Sequence, residues 1–313
     1  MMIAMNDQKE TTMPEPERDL HVPVMATEVR EFLQLKSGDI VLDATLGIGG
    51  HATRIAQAIG PSGKLIGIDR DGDSLSHAQE RFKNIPVTAY LRQDDFRNLD
   101  QVLASLHIPK VNAILFDLGI SSYQLNNPQR GFSLKLDGPL DMRMDKESYI
   151  SAYDLVNSLS ERELSSILKN FGEERWHNRI AHFLVTERAR HPIESTKELT
   201  DTVLKAIPFR YQHQKIHPAT RTFQAIRIAV NRELEALDIA LEKAIFALEK
   251  TGRLCVIAFH SLEDRIVKKK FRGYTKEHQI KIITKKPLRP TENEVHNNPR
   301  CRSARLRVAE RIS

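Results

Sequence analysis

Cysteine is nearly absent from this chain: Cys255 and Cys301 are the two in 313 residues. A pair so far apart makes no disulfide framework and no thiolate metal site, which points to a reducing, cytoplasmic setting and to no bound metal. Cys255 lies inside an apolar strand pattern and is expected to be buried and inert. Long apolar runs are missing as well. With no stretch of about 18 apolar residues, no membrane-spanning segment is expected. Residues 1–19 have no apolar signal core; they are polar, carry Pro14 and Pro16, and read as a disordered tail.

Charge is present in quantity and unevenly spread. The net charge is +6, yet Thr251–Ser313 alone holds 16 Lys and Arg against 6 Asp and Glu, net +10, while the rest holds 31 basic against 35 acidic residues, net −4. A basic segment on a near-neutral body points to a polyanionic partner, with RNA or DNA first. A single lysine run would read as solvated surface, but this excess covers several elements. The length suits a large core and two domains.

The stretch that organises the chain is Asp43-Ala-Thr-Leu-Gly-Ile-Gly-Gly-His51. Ile40-Val41-Leu42 before it is short and apolar, as a buried parallel strand is. Ala52–Ile59 behind it reads as a helix, stopped by Gly60-Pro61. In a strand, glycine-rich turn and helix, the backbone can approach a ligand closely and the helix offers free N–H groups. The next strand, Lys64–Asp69, ends on a carboxylate 22 residues after Gly47. That is where doubly wound folds place the acid that takes the ribose hydroxyls of an adenosine cofactor.

Gly47-x-Gly49-x-x-Ala52 formally satisfies the dinucleotide fingerprint, which by itself is a weak match. Asp43 decides otherwise. It stands at the mouth of the first strand, where a pyrophosphate would be repelled. S-adenosyl-L-methionine brings a sulfonium and an ammonium, and a carboxylate suits both.

Further strands are expected at Val87–Leu91 and Val111–Asp117, the second again ending on a carboxylate. Asp43, Asp69 and Asp117 should then meet at one rim, beyond the carboxyl ends of the strands. Asp95 or Phe96, after the third strand, could sit beside an adenine. The turn-rich run Leu118–Gly131 and the following Asp137–Asp145 make a loop long enough to be functional, with Asp141 and Arg143 read as a bracing ion pair. From Ser148 to about Lys215 the pattern is wholly helical, with capping boxes at Ser160/Glu163 and Ser195/Glu198 and with Trp176 and Phe183 at core spacing. One long helix is expected to run to about Lys250, then a fifth parallel strand, Arg253–Phe259, ending in His260-Ser261-Leu-Glu263-Asp264-Arg265. Gln279–Thr284 and Ala304–Ala309 read as a last strand pair. The architecture is therefore α/β: a doubly wound, mostly parallel, Rossmann-like sheet over residues 20–131 and 217–313, interrupted by a helical insertion over 132–216.

With these motifs in hand, the chain resembles the bacterial ribosomal RNA small subunit methyltransferase H family. The likeness runs over roughly residues 20–312. It is carried by His21-Val-Pro-Val, the Asp43–His51 stretch, Gly67-Ile-Asp-Arg-Asp71, Asp117-Leu-Gly-Ile-Ser-Ser122, Arg130-Gly-Phe-Ser133 and Asp137–Asp145. His217-Pro-Ala-Thr-Arg-Thr-Phe-Gln224, Phe259–Arg265 and Asn298-Pro-Arg-Cys-Arg-Ser303 complete it. The resemblance implies transfer of a methyl group from S-adenosyl-L-methionine to N4 of one cytidine in 16S rRNA of the small ribosomal subunit. It implies a cofactor site at Gly49, Gly50, His51, Asp69, Phe96, Asp117 and Gln124, to which the reading above adds Asp43. It also implies that the helical insertion shapes the RNA site. Tyr123 stands where the family usually has Pro, Asn126 where it usually has Asp, and Ala258 where it often has Ser.

Cytosine N4 is a poor nucleophile because its lone pair is delocalised into the ring. Groups that accept its N–H bonds and hold it near the methyl would help. Asp117, Ser121 and Ser122 are candidates, with His260 and Asp264 next for base positioning or proton removal; a hydrogen-bonded strand end is the plain alternative for those two. The cytidine must be unstacked to enter a pocket. Lys285, Lys286, Arg300, Arg302 and Arg305 are the candidates for phosphates. A homodimer is carried as an assembly candidate. A dinucleotide-dependent oxidoreductase and a silent RNA-binding assembly factor are the competing classes. Asp43 and the basic C-terminal segment weigh against the first, and the intact glycine loop with three rim carboxylates against the second.

Overall fold

A computed structural model describes residues 23–212 and 216–313 of the chain. The expected tail at 1–19, His21 and Val22 of the first motif, and Lys215 lie outside the described residues. Seven strands make one sheet: β1 (Ile40–Asp43), β2 (Lys64–Asp69), β3 (Thr88–Gln93), β4 (Val111–Asp117), β5 (Leu248–Ala258), β6 (Ile280–Ile282) and β7 (Arg305–Arg311). The order is β3-β2-β1-β4-β5-β7-β6. The first five strands run parallel, and β7 is antiparallel to both β5 and β6. The order reverses between β1 and β4, which in open α/β sheets is where ligands bind. Asp43 pairs with Gly67 and Leu115, Asp69 with Gln93 and Asp117 with Ile257, so all three carboxylates stand on one rim.

In chain order the helices are α1 (Ala26–Leu33), α2 (Gly50–Ile59), α3 (Gly72–Phe82), α4 (Leu99–Ser105), α5 (Ser122–Asn126), α6 (Ala152–Ser158) and α7 (Glu161–Gly172). After these come α8 (His177–Arg188), α9 (Thr196–Ala206), α10 (Thr220–Asn231), α11 (Glu233–Ala247), α12 (Ser261–Lys276) and α13 (Glu292–Asn297). Helices α1, α2 and α3 bury Val29, Leu33, Ile55, Ile59 and Leu75 against one face of the sheet. Helices α4, α11 and α12 bury Leu99, Leu103, Leu237, Leu241, Val267 and Phe271 against the other. Each large apolar side chain so buried is worth about 1.5–3 kcal/mol of transfer free energy, so either layer alone outweighs any single polar contact in the fold.

The inserted helices α6–α9 have their own core, which also takes Phe132, Leu140 and Met142 from the loop after α5 and Phe223 and Ile226 from α10. Trp176 and Phe183 pack at its edge, as core residues rather than free platforms. Capping boxes form at Ser160/Glu163 and Ser195/Glu198, where the short spacing lets each side chain satisfy the other's orphan N–H.

One expectation fails. The stripe read as a single helix to Lys250 is broken at Arg232, whose φ is +50°, and α11 stops at Ala247. Strand β5 then starts five residues early with a bulge: Val111 pairs with Leu248 and Ala113 with Arg253. Apolar spacing alone hides both events, because Leu237, Leu241, Ile245 and Leu248 keep the helical period straight into the strand.

Candidate active site

A cleft open to solvent lies over the carboxyl ends of β1, β2 and β4. Its floor is the glycine loop. Gly47 and Gly49 have φ of +53° and +85°, which side chains with a Cβ rarely adopt. A Cβ on Gly49 would also stand 3.1 Å from the Phe82 ring. Asp69 pins the loop: its Oδ2 accepts from Gly47 N at 2.7 Å and its Oδ1 from Asp71 N at 2.8 Å. Burial pushes the Asp69 carboxyl up to about 6, against those two bonds.

Asp43, His51 and Asp117 form the centre of the cleft. Asp43 is 1% exposed; its Oδ1 accepts from Thr45 N, and its Oδ2 has no hydrogen-bond partner among the described residues. Burial raises its carboxyl to about 7, with His51 pulling the other way. His51, in the first turn of α2, brings Nε2 to 3.5 Å from Asp117 Oδ2, while Asp117 Oδ1 is buried and unpartnered. Asp117 N donates to Thr45 Oγ1 at 2.6 Å, which locks the β1 and β4 ends together.

Gly50, Phe96, Ser121, Ser122 and Gln124 share this cleft. Gly49 shapes it as the residue preceding α2. Ser121 caps α5, and Gln124 is engaged at both ends: its carbonyl accepts from Ser121 N and its amide donates to Asp71 Oδ2. Phe96 packs edge-on to Phe116, with ring centroids 5.7 Å apart. Asp94, not Asp95, stands on the cleft wall; Asp95 is consumed by Arg97 and Arg70. Asp141 and Arg143 make the bracing ion pair at 2.6 Å. Cys255 is buried, and burial pushes its thiol well up, so it is inert.

At the end of β5 the cleft wall is Glu263 and Glu233, with His260 paired to Glu263 at 3.2 Å and not itself on the wall. His260 Nδ1 accepts from Glu263 N, capping α12. Burial opposes ionisation of Glu263, but His260 and Arg227 hold its carboxyl below the usual range. Among the described residues, Glu233, His260 and Glu263 bring ligand atoms within 4.8 Å of one another. A metal is a poor occupant, because Arg227 already donates to both Glu233 oxygens at 2.8 Å, and a His260 Nδ1 that accepts leaves the proton on Nε2. Glu233 escaped the sequence reading because it was hidden inside the apparent long helix.

Asp264 faces away from the cleft and takes Arg307 Nε at 2.7 Å and Arg305 Nη1 at 3.3 Å. Arg305 is thus half-buried and neutralised. Arg300 lines the cleft mouth and donates to Asn126 Oδ1 at 2.8 Å, while Lys285, Lys286 and Arg302 are exposed.

The vacant carboxylate oxygens of Asp43 and Asp117, buried beside a glycine loop, suit a cationic ligand with an adenosine end, as S-adenosyl-L-methionine is. They do not suit a pyrophosphate, which would meet three carboxylates at the same rim.

The model of the MraW methylase family matches residues 18–312. Ribosomal RNA small subunit methyltransferase H of Clostridium botulinum (strain Kyoto / Type A2) is 47% identical over 307 residues, covering 93% of this chain and 99% of that one. The protein of the same name from Halothermothrix orenii is 46% identical over 307 residues, covering 93% and 98%. Among solved structures, an rRNA methylase from Streptococcus thermophilus aligns with 91% of this chain and 95% of its own, at 14% identity and a TM-score of 0.42. At that score the likeness carries no argument about individual residues.

Proposed function

This chain belongs to the MraW methylase family, and we propose on that premise that it methylates the exocyclic N4 of one cytidine in the 16S rRNA of the small ribosomal subunit. It is an S-adenosyl-L-methionine-dependent methyltransferase. The observation that carries the site assignment is the group Asp43, His51 and Asp117, with two buried carboxylate oxygens vacant at the point where the strand order reverses.

When bound, S-adenosyl-L-methionine supplies an electrophilic methyl on sulfur. The residues around it divide the remaining work. Asp69 sits at the end of β2 for the ribose, and Phe96 beside it for the adenine. Asp43 offers its free oxygen to the positive end. The N4 nitrogen gains a methyl and loses a proton, so it needs an acceptor for an N–H bond. Asp117 Oδ1 is that acceptor, with the Ser121 and Ser122 hydroxyls beside it to orient the base. Glu263, held ionised by His260 and Arg227, is a second negative group toward which a released proton can move. His260 acts through Glu263, as a positioning residue. Residues 132–216 serve as the substrate-recognition insertion, and Lys285, Lys286, Arg300 and Arg302 as phosphate contacts. An rRNA substrate sets the activity in the cytoplasm.

The test is methyl transfer from labelled S-adenosyl-L-methionine to small ribosomal subunits from cells lacking this gene, read by nucleoside mass analysis. Label in N4-methylcytidine at a single position is the expected result. Cofactor binding without transfer to subunits, assembly intermediates or free RNA would replace this reading with a binding role.

A further inference from the structure

A loop of the insertion reaches the cleft, and it is held there by buried groups that the reaction itself does not use. Met144 is on the cleft wall together with Phe96, Arg70 and Leu237. Its backbone is fixed from both sides. Arg130, 2% exposed, donates through Nη2 to the carbonyls of Arg143 at 2.9 Å and Met144 at 2.8 Å. Asn231, also 2% exposed, accepts from Met144 N at 2.8 Å and donates to Met142 O at 2.8 Å. Met142 has φ of +59°, a strained conformation for a residue with a Cβ, and these bonds hold it.

The clamp is tied directly to the donor end of the site. Arg130 Nη1 donates to Asp71 Oδ2 at 2.7 Å, and Asp71 N in turn donates to Asp69, the carboxylate that pins the glycine loop. Arg70 Nη1 donates to Asn231 O at 2.8 Å. Past Met144, Lys146 pairs with Asp73 at 2.5 Å, and Asp145 and Glu147 share a second, shallower cavity with Asp94 and Asp95. All of these anchors belong to the ends of β2 and β3 and the start of α3. They are the adenosine side of the rim, away from Asp117 and β5.

We infer that the Asp141–Asp145 loop completes the adenosine subsite of the donor, with Met144 as its apolar wall and Arg130 and Asn231 as positioning residues. This rests on the methyl-donor reading above. Its chemistry is that of a soft, polarisable thioether against a purine ring, in a cleft that Phe96 also lines. One consequence is that the domain reading RNA and the donor site share a wall, so a disturbance of the insertion is felt as a change in donor affinity.

The experiment is calorimetric binding of S-adenosylhomocysteine to the full chain, with KM for small ribosomal subunits measured alongside. Met144→Ala leaves the backbone clamp in place and should weaken S-adenosylhomocysteine binding about five- to tenfold, and Met144→Leu, which keeps the volume, should restore it to within about twofold. Arg130→Lys cannot make the three bonds and should weaken binding in the same direction. Because it breaks a buried pair, its thermal midpoint must be followed, and the Met144 variants keep the question decidable if it does not fold. In the double variant the loss should be less than the product of the two, since an unclamped loop no longer presents residue 144. Unchanged S-adenosylhomocysteine affinity in Met144→Ala, with or without a rise in KM for subunits, would overturn this inference alone. Failure of the wild-type chain to bind S-adenosylhomocysteine would overturn the donor reading and this inference together.

Discussion

Two carboxylates at the same end of the sheet are treated in opposite ways. Asp264, at the start of α12, has both oxygens taken by guanidinium groups of Arg305 and Arg307 on β7. Burial alone would push its carboxyl up, yet those two cations hold it down. Asp43, at the end of β1, is at least as buried and has one oxygen without a partner among the described residues; burial pushes its carboxyl up to about 7, against the pull of His51. A fold that can build the first arrangement has no need to tolerate the second for stability, since a buried polar group left unpartnered costs about 1–3 kcal/mol, and more when it is charged. The difference separates charge that holds the sheet edge from charge kept in wait for a cation.

The largest break in this comparison is at Asp117. Asp117→Asn keeps the shape but removes the negative charge and replaces one of the two acceptor oxygens by a donor, and methyl transfer to subunits should fall at least about a hundredfold. Full activity in this variant would remove Asp117 from the reaction. The counterpart is Asp264→Ala. It should cost about 1–3 kcal/mol in chemical unfolding, since the Arg307 guanidinium is left buried without its partner. Donor affinity should be unchanged. A donor-binding loss as large as the stability loss would erase the distinction between the two carboxylates.

Acidity sharpens the same contrast. Burial pushes the Asp43 carboxyl up to about 7 and the Asp69 carboxyl up to about 6, against an ordinary aspartate value of 3.8. A carboxyl whose folded value is raised binds more protons folded than unfolded across that window. Its contribution to stability is therefore lost as pH rises from about 4 toward 7, and the ligand-free chain should become less stable over that range. Donor binding runs the other way, because a cationic ligand prefers ionised Asp43. Affinity for S-adenosyl-L-methionine should rise about tenfold between pH 6 and 8, and Asp43→Asn should flatten that slope. A flat profile in the wild-type chain would mean that Asp43 does not face the positive end of the donor.

The strands that build this rim were legible because each is a β-branched apolar run closed by a carboxylate, and the glycine loop because its spacing is local. Helix α11 was misread because its apolar stripe crosses Arg232 without a break in period, and a left-handed residue in the middle of a sequence leaves no local mark. The clamp on Met144 was illegible for a different reason. Arg130 meets Asp71 across 59 residues and Arg70 meets Asn231 across 161, and such pairings exist only once the insertion has folded back over the sheet. Arg305 shows the same limit from the other direction. Its place in a basic run suggested a phosphate ligand, whereas the fold gives it Asp264.

That reassignment yields the smallest expected effect and the finest test. Lys285, Lys286 and Arg302 are exposed, and Arg300 at the cleft mouth donates to the neutral Asn126 amide, so their charge is available to a polyanion. Arg305 is not. Replacing Lys286 or Arg302 by Gln should lower affinity for small subunits a few-fold at low salt and shorten the slope of log affinity against log salt by about one unit each. Arg305→Gln should leave that slope alone and instead lower the thermal midpoint, as loss of an Asp264 partner would. If Arg305 moved the salt slope as much as Arg302 does, the β7 edge would belong to the RNA surface after all, and charge paired within the fold could no longer be told from charge held out to a partner.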